Sequence, residues 1–260
     1  PMCGVPYHAA EGYIARLIQR GHRVAICDQV EDPRFAKKLV KRELSRIVTP
    51  GTATDPALLN SRENNYLAAL APGGSRTGLA HVDVSTGEFR ATELDSGDVP
   101  AALEQLRARE FLAAEGAPAV GSPPGALRTE TDSWAFAFDH AERTLREHFR
   151  LLTLDGCGLA GRSLAVSAAG AILHYLRETQ KAALTHLEPP AYYDRAGSMV
   201  LDTVTVRNLE LVEPLFTTGT AAGEPTLLGV IDQTCTAMGG RLLRRRLLAP
   251  AIERTEIEAR

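Results

Sequence analysis

Four acidic residues could form the most reactive kind of site that this sequence offers. Asp83 and Glu88 flank a Thr-Gly turn, Glu110 begins a later apolar run, and Asp139 precedes a predicted helix. In metal-dependent nucleases, carboxylates on neighbouring strands hold two divalent cations about 3.5 to 4 Å apart. However, Val-Ser-Thr-Gly follows Asp83, so its carboxylate could instead accept hydrogen bonds from turn amides. The second interpretation is favoured, and we predict no catalytic residue.

The remaining reactive side chains indicate no metal or cofactor site. The seven histidines have no ligand spacing, and His174, among apolar neighbours on a predicted helix, is interpreted as a satisfied core residue. The four cysteines, Cys3, Cys27, Cys157 and Cys235, form no Cys-x-x-Cys pair. The nucleophile motif Gly-x-Ser-x-Gly is also missing. We expect reduced thiols in a cytoplasmic protein.

No apolar run approaches the roughly 20 residues needed to cross a bilayer. The longest, residues 164–176, is interrupted by Ser167, Gly170 and His174. The chain opens with Pro1 rather than Met and has no basic-then-apolar leader. We therefore expect no membrane association and no secretion, and we expect the chain to be a piece of a longer protein.

Positive charge is concentrated in the first fifty residues. Residues 1–50 carry nine Lys/Arg and five Asp/Glu, residues 51–184 carry twelve and seventeen, and residues 185–260 carry eight and ten. Only the first balance suits a phosphate-binding surface. Six basic residues of this segment fall within thirteen positions: Arg34, Lys37, Lys38, Lys41, Arg42 and Arg46. They could neutralise phosphates or form an ordinary solvated face.

The elements that would position this basic segment form a small α/β unit. Apolar residues at helical spacing predict a helix over residues 10–20, which Gly21 would end. A strand over residues 23–30, a short helix beginning at Pro33 and a strand over residues 43–49 follow. Pro50-Gly51 then marks a turn and a plausible domain border.

A second pattern begins at Tyr66 and predicts an antiparallel meander. Its three short strands lie close together in sequence and are separated by glycine turns. Asp98 is predicted to cap a helix with Pro100 in its first turn, and a fourth strand follows. The strands cover residues 66–71, 78–85, 88–93 and 110–113. The order β-β-β-α-β indicates a ribonuclease-H-like sheet.

The rest of the sequence is predicted to be helical after a Pro/Gly-rich loop at residues 116–125. Helices are predicted over residues 140–150 and 164–181, the second with a single apolar stripe. Pro189-Pro190 marks another border. Beyond it, Asp202 should cap a helix over residues 203–211.

A last helix is predicted over residues 238–248. Its pattern buries Leu242, Leu243 and Leu247 and turns Arg241, Arg244 and Arg245 largely outward. With Arg246, these arginines form a second basic cluster. Acidic residues nearby favour ion pairs between helices over contact with nucleic acid.

Several segments together resemble the bacterial MutS family of DNA mismatch-repair proteins. The chain opens with Pro-Met-Cys-Gly-Val-Pro-Tyr-His, similar to a segment of that family, and further similar segments follow in family order. The segments are residues 1–13, 24–33, 46–52, 82–89, 199–202, 207–210 and 228–243. One departure is Ala237, where the family usually has proline before Met-Gly. It removes one helix-start signal and no chemistry.

The resemblance implies an α/β multi-domain fold with three parts. Residues 1–52 would be the end of the mismatch-binding domain, residues 53–184 a ribonuclease-H-like connector domain, and residues 185–260 the start of an all-helical core domain. The family's Phe-x-Glu reader would lie upstream of Pro1, and its Gly-x-x-x-x-Gly-Lys-[Ser/Thr] phosphate loop downstream of Arg260. Neither motif occurs in this sequence.

The resemblance also implies where DNA would be contacted. Residues 1–8 would follow the minor groove of kinked DNA, and lysines and arginines of the basic segment would contact phosphates. The expected DNA-binding residues are Pro1, Met2, Gly4, Tyr7, His8, Lys37, Lys38, Lys41 and Arg42. In the alternative interpretation, Met2, Val5 and Tyr7 belong to a strand that packs on the helix containing Tyr13.

The whole protein would then be a homodimeric, ATP- and Mg-dependent clamp. It would bind mismatched double-stranded DNA and signal to MutL through the connector. This chain would carry neither cofactor and would not be catalytic. Two other classes remain open: a metal nuclease and a pure protein-interaction module.

Overall fold

A computed structural model describes residues 4–31, 40–55, 58–118, 125–215 and 226–259. The first unit consists of helix α1 (Tyr7–Gln19) and the antiparallel strands β1 (Val24–Gln29) and β2 (Arg42–Val48). Ile18 of α1 packs with Val48 and Ala53 in a small core. The helix begins three residues before the predicted start, directly after Pro6. The helix predicted after Pro33 lies outside the described residues.

The second unit is built on a six-stranded mixed sheet. Its strands are β3 (Tyr66–Gly73), β4 (Arg76–Asp83), β5 (Phe89–Asp95), β6 (Glu110–Ala114), β7 (Leu127–Thr131) and β8 (Ala191–Tyr192). The sheet order is β7-β6-β3-β4-β5-β8. The first three strands form the predicted antiparallel meander, whereas β6, β7 and β8 each run parallel to a neighbour. This arrangement confirms the ribonuclease-H-like interpretation.

Helices cover both faces of this sheet, and alternation along the strands explains why. On β3, Leu67 and Ala69 belong to a large core with α3 (Phe138–Phe149) and α4 (Ser163–Gln180). The intervening Ala68 and Leu70 belong to a smaller core with α2 (Val99–Leu106). Successive strand residues point to opposite faces, so both faces need apolar cover.

The prediction of a single apolar stripe on α4 is wrong. Residues 165–173 are buried without interruption, because the helix lies between the sheet and α3. Gly170 permits the close approach to α3, since a Cβ atom there would stand 2.4 Å from the Cα atom of Ala141.

Replacing Gly170 with valine should therefore overpack this contact. We expect a loss of at least about 2 kcal/mol in the free energy of unfolding. Gly12→Ala is the matched control, because Gly12 lies within α1 with no atom near the added methyl group. It should stabilise by up to about 1 kcal/mol. Urea denaturation followed by circular dichroism measures both; equal stability of Gly170→Val and the unaltered chain would contradict the packing.

The third region contains four helices among its described residues: α5 (Thr203–Asn208), α6 (Leu227–Ile231), α7 (Ala237–Leu248) and α8 (Arg254–Ala259). The Asp202 carboxylate accepts a hydrogen bond from the Thr205 backbone N at 2.6 Å, which confirms the predicted cap. Asp98 occupies the predicted N-cap position of α2, but its side chain makes no cap hydrogen bond. No helix among the described residues is long and apolar enough to span a bilayer.

The burial pattern predicted for α7 is wrong in two respects. Leu242, predicted to be buried, is 39% exposed, and Leu243 and Leu247 are only partly buried. Arg244, predicted to point outward, has a side chain only 13% exposed and pairs with Glu63. The prediction differs from the structure because a hydrophobic pattern places charged residues on the solvent side of a helix. In the structure, α7 instead directs arginines toward carboxylates of the second unit.

Candidate nucleic-acid interface and the junctions behind it

The first group of predicted DNA-binding residues surrounds the start of α1. Gly4 precedes the helix and is exposed, and the exposed His8 lies in its first turn. Tyr7 begins the helix, so the alternative that places it in a strand is wrong. Pro1, Met2 and the side chain of Tyr7 lie outside the described residues.

The second group lies at the start of β2. Lys41 and Arg42 are both exposed there, whereas Lys37 and Lys38 lie outside the described residues. The Lys41 ammonium pairs with the Glu43 carboxylate at 2.7 Å, and this hydrogen bond raises the pKa of Lys41. Its charge is therefore already partly compensated.

Arg42 and Arg46 are the cations of this strand with the least compensated charge. Both are exposed, and neither forms an ion pair with another described residue. No hydrogen bond or ion pair among the described residues joins β2 to Gly4 or His8. The two predicted groups thus belong to different elements of one small unit, one at the start of α1 and the other at the start of β2.

Behind this surface, the segment from Thr49 to Ala53 is a buried junction with the second unit. The Thr49 backbone N donates to Oγ1 of Thr52 at 3.0 Å, which closes a tight turn. The Asn65 amide donates to the carbonyl oxygens of Pro50 and Ala53 at 2.9 and 3.2 Å. The sequence predicts a domain border at this segment. The structure shows in addition that the segment is hydrogen-bonded both within itself and to Asn65 of the second unit.

Glu110 anchors the same junction from the sheet. Its Oε2 accepts from the Gly51 backbone N at 3.0 Å, and its Oε1 accepts from Thr129 Oγ1 at 2.7 Å and the Tyr175 hydroxyl at 2.9 Å. Burial, and then the Glu110 charge, raises the pKa of Tyr175 well above its ordinary value. Only glycine fits at position 51, because a Cβ atom there would lie 2.8 Å from the Glu110 Cβ.

Asp83, the central residue of the nuclease alternative, is also fully buried and fully bonded. Its Oδ1 accepts from the backbone N and hydroxyl of Ser85 at 2.9 and 2.6 Å. Its Oδ2 accepts from the Asn64 amide at 2.8 Å and the Asn65 backbone N at 3.2 Å. The carboxylate therefore organises the turn that follows β4. This agrees with the interpretation of Asp83 as an acceptor from turn amides rather than a metal ligand.

The other candidate carboxylates are placed elsewhere. Glu88 pairs with Arg90 at 2.8 Å and Arg245 at 2.6 Å, and Asp139 is exposed at the start of α3. Within the described ranges, no three His, Cys, Asp or Glu side chains are grouped as metal ligands. Asp83, Glu110 and Glu88 thus make three different sets of contacts and Asp139 faces solvent, so the four carboxylates do not form one site.

His174, predicted to be a satisfied core residue, is largely buried but lacks a hydrogen bond. Its ring lies edge-on to Trp134 and His140, with centroids 4.7 and 5.5 Å away. The nearest carboxylate oxygen, on Glu178, is 3.4 Å from Nε2 but outside hydrogen-bond geometry. The prediction is right about burial and wrong about the bond.

The second basic cluster joins the third region to the second unit. Arg245 contacts Glu88, Arg244 lies 3.4 Å from Glu63, and Arg241 donates to the Ser61 carbonyl oxygen at 2.7 Å. The predicted ion pairing is confirmed for Arg244 and Arg245, but the prediction that their partners lie on other helices is wrong. The partners instead belong to the loop before β3 and the turn before β5.

His81 of β4 is buried beside this junction, with its ring between those of Tyr66 and Tyr193. Burial, and then the positive charges of Arg90 and Arg245, lowers its pKa to about 3. An unfolded chain binds a proton at His81 near pH 6.5, whereas the folded chain does not until about pH 3.

The stability that depends on neutral His81 is therefore complete at pH 7 and is lost as the pH falls below about 6.5. Between pH 7 and pH 5 we expect a loss of about 2 kcal/mol from this group. His81→Phe keeps an aromatic ring and should remove that part of the pH dependence. Urea titrations of both proteins at the two pH values measure it; parallel losses would contradict the assignment.

Comparison with known families agrees with these three structural parts. Residues 1–57 match the family model described as MutS domain I, residues 65–188 match MutS domain II, and residues 204–260 match MutS domain III. The second match covers β3 to β7 and α2 to α4 and ends before β8, and the third covers α5, except its first residue, to α8.

Curated relatives carry the same family name. A DNA mismatch repair protein MutS from Solibacter usitatus is 64% identical over the whole chain, and one from Symbiobacterium thermophilum is 47% identical over the whole chain. One from Chlorobaculum tepidum is 43% identical over 96% of the chain. The chain spans 31%, 30% and 29% of the length of these relatives, respectively. The chain therefore belongs to the MutS family, and it comprises residues that match MutS domains I, II and III.

Proposed function

We propose that this chain serves DNA mismatch repair, as part of a protein that binds mismatched duplex DNA. The observation that carries the proposal is the match to three consecutive MutS domains together with relatives named for mismatch repair. A mispaired step kinks at a lower cost than a paired one, so a protein that bends DNA can detect it by deformability.

In this proposal the whole protein is a cytoplasmic homodimer driven by ATP and Mg²⁺. The phosphate-loop motif is missing from the sequence of this chain, so other parts of the whole protein bind the nucleotide. The first unit contacts the sugar-phosphate backbone of DNA. Lys41, Arg42 and Arg46 contact phosphates from β2, and Gly4 and His8 contribute from the start of α1. Such contacts position the protein and carry no sequence information.

The second unit acts as the connector to a MutL-type partner. Its negative balance supports a protein-facing role over a DNA-facing one. Glu110 and Asn65 hold it to the first unit, and the arginines of α7 hold it to the third. A displacement of either neighbour is thereby passed to the connector through defined contacts.

Titration of the chain against labelled homoduplex, mismatched duplex and MutL tests the proposal. We expect weak binding to both duplexes without preference, binding to MutL, and no cleavage with or without magnesium. Between about 50 and 200 mM salt, the double variant Arg42→Gln/Arg46→Gln should lose about 2 from the slope of log K against log salt, at about 0.9 per phosphate contact.

Arg254→Gln is the matched control, because it removes an 89% exposed guanidinium from α8. It should leave the slope unchanged. Duplex binding that is equally strong at both salt concentrations would contradict the phosphate contacts. Binding to MutL without any affinity for DNA would show a pure interaction module, and magnesium-dependent cleavage would show a nuclease.

A further inference from the structure

A cleft of about 760 Å³ lies between the sheet of the second unit and helix α7. Residues of β4, β5 and α2 line one side, and α7 lines the other. Its volume falls within the range of small-molecule sites, which is about 300 to 1,000 Å³. A molecule of nucleotide size fits such a space, whereas a DNA duplex does not.

The lining of this cleft has more positive than negative charge. It contains eight arginines and six acidic residues. Glu63 is shared by two guanidinium groups, with Arg244 at 3.4 Å and Arg109 at 3.7 Å. Burial lowers the pKa of Arg244, although Glu63 opposes this effect. One carboxylate therefore serves two cations, one of them largely removed from water.

The same shortage recurs at Arg245, the next residue of α7. Glu88 is shared by Arg90 at 2.8 Å and Arg245 at 2.6 Å. The side chain of Arg246, at the cleft, has no ion pair or hydrogen bond with any other described residue. Guanidinium groups held near one another without enough carboxylates form a site that favours an anion.

A buried polar atom in the wall is also unpaired. The ring of His81 lines the cleft, and its Nδ1 has no hydrogen-bond partner within the described part of the chain. Unpaired buried polar groups are rare in folded proteins, and each is a reason to look for a ligand. The atom belongs to a wall that also includes Tyr66 and Tyr193.

We propose that this cleft binds a small phosphorylated molecule whose phosphate groups neutralise the surplus guanidinium charge between α7 and the sheet. Arginine is well suited to this role, because its planar fork can donate two parallel hydrogen bonds to one phosphate. The site is distinct from the ATP-driven step of the proposed function. Because it joins the second unit to the third, an occupied cleft holds the two units together.

Isothermal titration calorimetry of the 260-residue chain with pyrophosphate in magnesium-free buffer tests the site. We expect saturable binding of one equivalent. Arg245→Gln should weaken it about tenfold, the value of one lost charge-assisted contact. Glu63→Gln should instead tighten binding several-fold, because it frees Arg244 and Arg109. Arg20→Gln, an exposed change at the end of α1, should have no effect.

The two opposite shifts separate a ligand site from a structural ion-pair network. A structural network alone predicts that Glu63→Gln loosens the junction and improves nothing. No saturable heat with pyrophosphate, or equal affinity in Arg245→Gln and Arg20→Gln, would overturn the proposal. Adenosine should not bind, and ADP should compete with pyrophosphate; displacement by a short DNA duplex would also overturn the assignment to a small molecule.

Discussion

Replacing Glu110 with alanine is expected to lower the free energy of unfolding of the second unit by about 3 to 5 kcal/mol. Three donors would lose their acceptor: the Gly51 backbone N, Thr129 Oγ1 and the Tyr175 hydroxyl. Each buried donor left without a partner costs about 1 to 3 kcal/mol. The lost side-chain volume adds a cavity.

Glu110→Gln separates charge from shape. Its single carbonyl oxygen can still accept from Thr129 and Tyr175, but the amide nitrogen cannot accept from Gly51. We therefore expect a smaller loss of about 1 to 3 kcal/mol. The measurement is a urea titration followed by the fluorescence of Trp134, the chain's one tryptophan, which lies in the second unit.

Glu130→Ala is the control for both Glu110 variants. Glu130 is an exposed carboxylate on the adjacent strand β7, and its pair with Arg128 spans 3.4 Å. Exposed pairs contribute little, so a change within about 0.5 kcal/mol is expected. Similar losses in Glu110→Ala and Glu130→Ala would refute the anchoring role of Glu110.

Replacing Asp83 with alanine should cost about 3 kcal/mol. The change removes the acceptor for both donors of Ser85, for the Asn64 amide and for the Asn65 backbone N. Asn65 also holds the exit segment of the first unit, so the effect should extend beyond the turn. Limited proteolysis near residues 49–53, together with the Trp134 titration, measures both consequences.

Asp83→Asn distinguishes this structural role from a catalytic one. The structural role predicts a loss of about 1 to 2 kcal/mol, because one of the two acceptor oxygens becomes a donor. It also predicts that magnesium-dependent cleavage is the same in both proteins, namely none. If the variant instead keeps full stability and abolishes a cleavage activity of the unaltered chain, Asp83 is a metal ligand.

Local patterns were sufficient to predict most of the second unit. Alternating apolar residues and glycine turns located β3, β4 and β5 to within two residues at most ends. The strand β7 was not predicted, because its buried positions, Thr129 and Thr131, are polar and give it no apolar alternation. The strand β8 is only two residues long and is defined by its pairing with β5. Such elements depend on a partner that the local sequence does not reveal.

The junctions were harder to predict than the exposed interface. Gly51 and Glu110 are 59 positions apart, and Ser61 and Arg241 are 180 apart. Nothing in the sequence near Glu110 shows that a backbone N–H from another unit will need an acceptor. The arginines of α7 were predicted to point outward for the same reason. Charged side chains are usually exposed, and the distant carboxylates that allow Arg244 to be buried are not evident from the local sequence.

The central claim is that this chain performs the mismatch-repair role of the MutS segment it matches. In the Solibacter relative, the matching segment can be replaced by these 260 residues and the chimera expressed in bacteria that lack their own MutS. The spontaneous mutation frequency is then measured. The claim predicts a frequency close to that obtained with the unaltered relative. A frequency as high as without any MutS, in cells that contain normal amounts of folded chimera, would contradict it.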